Sequence, residues 1–262
     1  MLLDGFFRLF FCMARTSPRT RFDSAQLIRA LSALVATDVA DSRQSFADRL
    51  GQWLDFADAI ALCSALDSPA DTRAPATAAQ PALGDEFARV RGALLESINT
   101  DGLLTPGKAR IRLPAPAWHA GTEGTADYLP YHRYYLAHQR DMGAAIAPLR
   151  ASLRAALAAQ SPALRQLAAL DGVLDQAFAP RERSLLASVP QLLGRRFEQL
   201  HQAHRSALPA GAADDPARWL EPGAWLHTFC QDMRLVLLAE LDLRLQPVQG
   251  LMDALNEIKR PQ

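Results

Sequence analysis

The sequence predicts an all-α protein built as a bundle of six or seven helices. Two observations carry this. Leu and Ala together number 89 of the 262 residues, whereas Val and Ile number only 13; unbranched aliphatic residues favour helix and β-branched ones favour strand. Apolar residues also recur every three or four positions over much of the chain, the period of one helical face. The length is ample for a real core.

Residues 1–22 show no helical organisation and read as a disordered or misassigned N-terminal extension. Within it, MLLDGFFRLFFC carries apolar side chains with no evident partner. An upstream start chosen in error, with the working protein beginning at Met13, is one reading. The other is a membrane-surface anchor, with Leu2, Leu3, Phe6, Phe7 and Phe10 on one face and Asp4 and Arg8 opposite.

Residues 23–66 predict a helical hairpin. Asp23 or Ser24 caps the first helix, whose stripe is Leu27, Ile28, Leu31, Leu34, Val35 and Val39. After a break at Ala40–Asp41, Ser42 caps a second, with Phe46, Leu50, Trp53, Ala57 and Ile60 on one face. Residues 67–84, rich in Pro and Ala, predict a linker, since small residues and prolines cannot bury a core.

The main helical domain is predicted over 85–258. It opens with a helix at about 85–99 bearing Phe87, Val90, Leu94 and Ile98. Seven glycines and prolines then make 100–127 an irregular loop, with room for a short strand at Ala109–Leu113. From Tyr128 a stripe runs through Tyr131, Tyr135, His138, Met142, Ile146, Leu149, Leu153 and Leu157, and Pro148 should kink it. Ser161-Pro162 is a cap with proline at the first helical position. It opens a helix carrying Leu164, Leu167, Leu170, Leu174 and Phe178. Pro180 is expected to open the next helix, interrupted at Pro190. Pro222 is expected to start the last, with Trp225, Phe229, Met233, Val236, Leu237, Leu241, Arg244, Val248, Leu251 and Leu255 on its stripe and a bend at Pro247–Gly250.

Lys and Arg balance Asp and Glu at 28 each, so nothing in the charge draws the chain to nucleic acid or an anionic membrane. No apolar run reaches the ~20 residues of a membrane span. Cys12, Cys63 and Cys230 form no paired motif, which suits a reducing compartment. The cytoplasm is the expected location.

Motif chemistry is sparse. Glu198, His201 and His204 have the helical spacing of a di-iron ligand set, but a bundle site needs a second such motif, and the chain has none. They read as core-edge and surface residues. Asp55 and Asp58 read as an exposed helical surface. No phosphate loop, nucleophile elbow or zinc-protease motif is present. No catalytic residue, metal ligand or cofactor is therefore expected.

All four tyrosines lie within residues 128–135, more than one stripe can bury. Tyr134 and Tyr135 point about 100° apart. If Tyr135 faces the core, Tyr134 and Arg133 turn toward the edge, beside the loop bearing Trp118. Trp118, Tyr128, Arg133 and Tyr134 are thus the candidate protein interface, Tyr and Arg being frequent at interface centres.

Several long segments, QSFADRLGQWLDFADAI (44–60), YHRYYLAHQRDM (131–142), SPALRQLAALDGVLD (161–175), RERSLLASVPQLLGRRFEQL (181–200) and LLAELDLRLQPVQGLMDALNE (237–257), resemble an uncharacterised family of bacterial proteins classed as a domain of unknown function. The likeness runs from about Met13 through nearly the whole chain. It brings no activity, substrate or catalytic residue. It implies an accessory role beside an envelope-associated complex, since genes of the family tend to lie near those of envelope proteins.

The leading expectation is a non-enzymatic helical adaptor or scaffold with a protein partner, homo-oligomerisation remaining open. One alternative is a small-molecule-binding protein or enzyme with a site under the 100–127 loop, near Trp118, His119 and Tyr128. Another is a peripheral membrane protein held by residues 1–12. An exposed apolar strip would favour the first, and a pocket with converging polar groups the second.

Overall fold

A computed structural model describes residues 24–35, 51–67, 80–116, 126–209 and 214–257. Residues 1–23, and with them the expected extension, lie outside the described residues, as do Trp118, His119 and the connections 36–50 and 68–79.

The described residues include seven complete α-helices and no strand: α1 (Ser24–Val35), α2 (Phe56–Asp67), α3 (Gln80–Asn99), α4 (Leu129–Gln160), α5 (Pro162–Leu186), α6 (Val189–Ala207) and α7 (Trp225–Glu257). The all-α bundle expected from composition and period is the observed architecture. The short strand expected at Ala109–Leu113 is absent; those residues are irregular.

α7 is the central element, packing against α1, α3, α4, α5 and α6. Its length follows from a stripe that never lapses: Trp225, Phe229, Met233, Val236, Leu237, Leu241, Val248, Leu251 and Leu255 are all buried. α4 is the second pillar, and all eight residues of its stripe from Tyr131 to Leu157 are buried. Ser161 ends α4 in extended backbone and starts α5, its hydroxyl accepting the Leu164 N–H at 3.3 Å.

Across this α4–α5 hairpin, Arg150 donates to Asp171 at 2.6 and 2.9 Å and to Asp175 at 2.6 Å. Arg154 donates to Asp171 at 2.6 Å and also pairs with Asp175. Two planar guanidinium forks shared between two carboxylates fix the register of the pair, because fork geometry tolerates little sliding.

Two prolines exchange the roles expected of them. Pro180 lies inside α5, which runs on to Leu186. Pro190 lies in the first turn of α6, where a missing N–H leaves no helical bond unmade. The break falls between them, at Ala187–Ser188.

The N-terminal region also departs from expectation. α1 buries Leu27 and Leu34 against α6 and α7, whereas α2 packs on α5. The segment expected as one hairpin is divided between two sets of neighbours. The second helix is broken at Leu54–Asp55 by a reciprocal cap. The Asp58 N–H donates to Asp55 Oδ1 at 2.8 Å, and the Asp55 N–H to Asp58 Oδ2 at 3.2 Å. This is a capping box, so the two aspartates start a helix rather than decorate one. α3 begins at Gln80, several residues inside the stretch expected as linker.

Candidate functional site

The first part of the expected 100–127 loop is built around one carboxylate. Asp101 is buried, and its Oδ1 accepts the N–H groups of Leu103, Leu104 and Thr105 at 2.7, 2.7 and 3.0 Å. Its carbonyl accepts the Leu113 N–H at 3.0 Å. Gly102 sits at φ +77°, a left-handed turn that L side chains rarely adopt. Leu113 is buried under this turn, and Arg110 forms an ion pair with Asp141 on α4. Residues 100–116 are thereby folded down onto α4 and α7.

Beneath the turn lies a cavity of about 210 Å³. Its polar wall comes from Asp101 and Thr105 of the loop, Tyr134 of α4, and Gln231 and Arg234 of α7. Its floor is apolar, with Ile98 and Met233. Cys230 also faces it; burial and the Asp101 charge push the thiol up to about 12, so it stays protonated. His227 lines the cavity as well, its Nε2 lying 3.5 Å from the Gln231 amide nitrogen. A larger depression of about 600 Å³, lined by Pro116, Pro216 and Leu220, is open and mostly apolar. Its carboxylates are already engaged: Asp214 accepts from Trp219 Nε1 at 2.7 Å and contacts His204 Nε2 at 2.9 Å, and Asp215 caps a 3₁₀ turn at Pro216–Arg218.

On the far side of α5, α2 presents a different kind of surface. Trp53, Phe56 and Ile60 are 40, 82 and 51% exposed. The Trp53 ring meets Phe178 of α5 edge-on at 6.0 Å. Gln166 of α5 donates to the Leu66 carbonyl, so α2 and α5 run antiparallel. Leu185, two turns beyond Phe178, is itself 64% exposed.

The residues expected to form an interface are dispersed in exposure. Tyr134 is 6% exposed, its ring T-stacked on His138 at 4.6 Å. The expectation that Tyr134 lies at an accessible edge is therefore corrected: the folded 100–116 turn supplies a second wall, so the helix buries more than one stripe. Tyr128 is half-buried. Its ring packs against Phe197 and Phe229, its hydroxyl donates to the Pro190 carbonyl, and it fills the space where a side chain on Gly194 would stand. Arg133 is exposed, and Trp118 lies outside the described residues.

Of the histidine motif, Glu198 is exposed and His204 bonds Asp214, while His201 packs against Trp225 at 5.0 Å. No group of three metal-ligating side chains converges among the described residues.

Sequence reasoning missed Glu240. It is fully buried and accepts from Tyr135 at 2.6 Å, Gln139 at 3.0 and 3.1 Å and Arg244 at 2.8 Å. The signal was available: position 240 continues the stripe through Met233 and Val236, and Arg244 follows at the i+4 spacing of an ion pair.

No curated protein and no solved structure matches the chain. A family model does, over residues 13–257. That span takes in every described helix, and the chain belongs to the family described as "Protein of unknown function (DUF3348)".

Proposed function

We propose that the chain is a non-enzymatic helical scaffold that receives an amphipathic helix of a partner protein along α2. The supporting observation is the exposed row Trp53, Phe56 and Ile60. Phe56 and Ile60, four residues apart, share one face of α2, and Trp53 is exposed just before the break that precedes the helix. Apart from Asp58, Ser64 and Asp67, α2 is made of apolar residues, and α5 is the only element it packs against extensively among the described residues. A helix laid in a groove through anchors at such spacing is a common recognition mode. The face replaces the one expected around Tyr134, whose ring is taken up by the core.

No helix among the described residues is long and apolar enough to cross a membrane, and the proposed setting is the cytoplasm. A photo-crosslinking residue placed at position 56 in native cells tests the reading. Capture of one other protein is expected, with loss of the adduct on Ile60→Asp at unchanged melting temperature. Adducts only within the chain, or only to a second copy of it, would overturn the heterologous partner.

A further inference from the structure

The cavity beneath the 100–116 turn contains polar groups that the fold leaves without partners. Tyr134 is more than nine-tenths buried and lines the cavity, and its hydroxyl makes no hydrogen bond among the described residues. The hydroxyl opens on the cavity and is not sealed in the core. Arg234, exposed on the same wall, forms neither an ion pair nor a hydrogen bond among the described residues. Asp101 spends Oδ1 on three loop N–H groups and leaves Oδ2 unengaged. One arginine, one half-used carboxylate, one free hydroxyl and the His227 ring thus line a space floored by Ile98 and Met233.

The loop turn uses only Oδ1 of Asp101, and Arg234 makes no ion pair among the described residues. Charges of both signs on one wall match a ligand that itself carries both. The volume, 210 Å³, is about seven times a water's ~30 Å³ share of the liquid, below the range of drug-sized pockets.

We propose that this cavity binds a free neutral α-amino acid. The ammonium lies toward Asp101 Oδ2 and the Tyr134 hydroxyl, the carboxylate toward Arg234 and the Gln231 amide, and a short aliphatic side chain toward Ile98 and Met233. Paired opposite charges in a partly desolvated site bind far better together than either does alone, because each charged group left unpaired retains its desolvation cost.

Calorimetric titration of the full chain with L-alanine, L-valine, L-proline and L-leucine tests the assignment. Each is compared with its α-amide, which lacks the carboxylate, and with its 2-hydroxy acid or, for proline, tetrahydrofuran-2-carboxylic acid, which lack the ammonium. Saturable binding of at least one amino acid is expected, weakened tenfold or more in both analogues. Arg234→Gln should weaken it at least tenfold. Tyr134→Phe, which keeps the packing and removes only the hydroxyl, should weaken it several-fold. Asp101→Asn keeps an Oδ1 for the loop N–H groups, so the turn should persist while amino-acid binding falls and 2-hydroxy-acid binding does not. Failure of all four amino acids to bind, or binding that Arg234→Gln and Tyr134→Phe both leave unchanged in folded protein, would overturn the proposal.

Discussion

A buried histidine makes stability depend on pH in a window of its own. His138 is 1% exposed, and its Nε2 has no hydrogen-bond partner. Burial, with a smaller contribution from the Arg110 charge, pushes its pKa down to about 4. In the unfolded chain the value returns to about 6.5. Between these values the unfolded chain binds the extra proton, so stability is complete above about pH 6.5 and falls as the pH drops toward 4. The loss across that range is about 3 kcal/mol. Urea unfolding at pH 7.5 and pH 4.5 should show most of it. His138→Phe should flatten the difference, since it keeps an aromatic ring against Tyr134 and removes the titration; an equally steep dependence in that variant would assign the effect elsewhere. The sequence placed His138 on the buried stripe correctly. It could not supply Arg110, which reaches this region only because the loop folds back to pair with Asp141.

Among the elements, α2 is the most weakly held. Ala65 is its one buried residue, and its start depends on the Asp55–Asp58 box. Replacing an N-cap aspartate with alanine costs about 1 kcal/mol. For α2 that cost should be felt locally, because little of the core depends on the helix. Hydrogen exchange in Asp55→Ala should rise several-fold over residues 56–67 while α4 and α7 keep wild-type protection. Uniform loss of protection across the bundle would contradict this. The same weak attachment fits a helix whose outer face awaits a partner. α4 and α5 contrast with it, since the Arg150, Arg154, Asp171 and Asp175 cluster joins them at four contacts.

At the scale of the molecule, Glu240 joins α7 to α4 through Tyr135 and Gln139, while Gln139 also donates to the Leu186 carbonyl at the end of α5. Glu240→Ala would leave Tyr135 without a partner, Gln139 with only the Leu186 carbonyl and Arg244 with only Glu182, and breaking a buried pair costs about 3–5 kcal/mol. Tyr135→Phe removes one hydrogen bond to a charged acceptor, worth about 1.5–3 kcal/mol. Both variants should move a single cooperative urea transition to lower midpoint, because the carboxylate ties α7 to α4 directly and to α5 through Gln139. A separate early transition confined to one helix would refute that role.

Helix content, the stripes of α4 and α7 and the Ser161 cap were legible in the sequence alone, because a 3.6-residue period and a cap are local properties of the chain. Local pattern could not decide between Pro180 and Pro190 as a helix start, since proline is acceptable in the first turn of either. It could not place Tyr134, whose burial depends on a loop folding back from some thirty residues upstream. Nor could it show that Glu240 meets Tyr135 across a sequence separation of 105, or that Asp101, Tyr134 and Arg234 line one cavity. Such meetings are set by which helices pack together, and that choice rests on the summed burial of many apolar side chains rather than on any one segment.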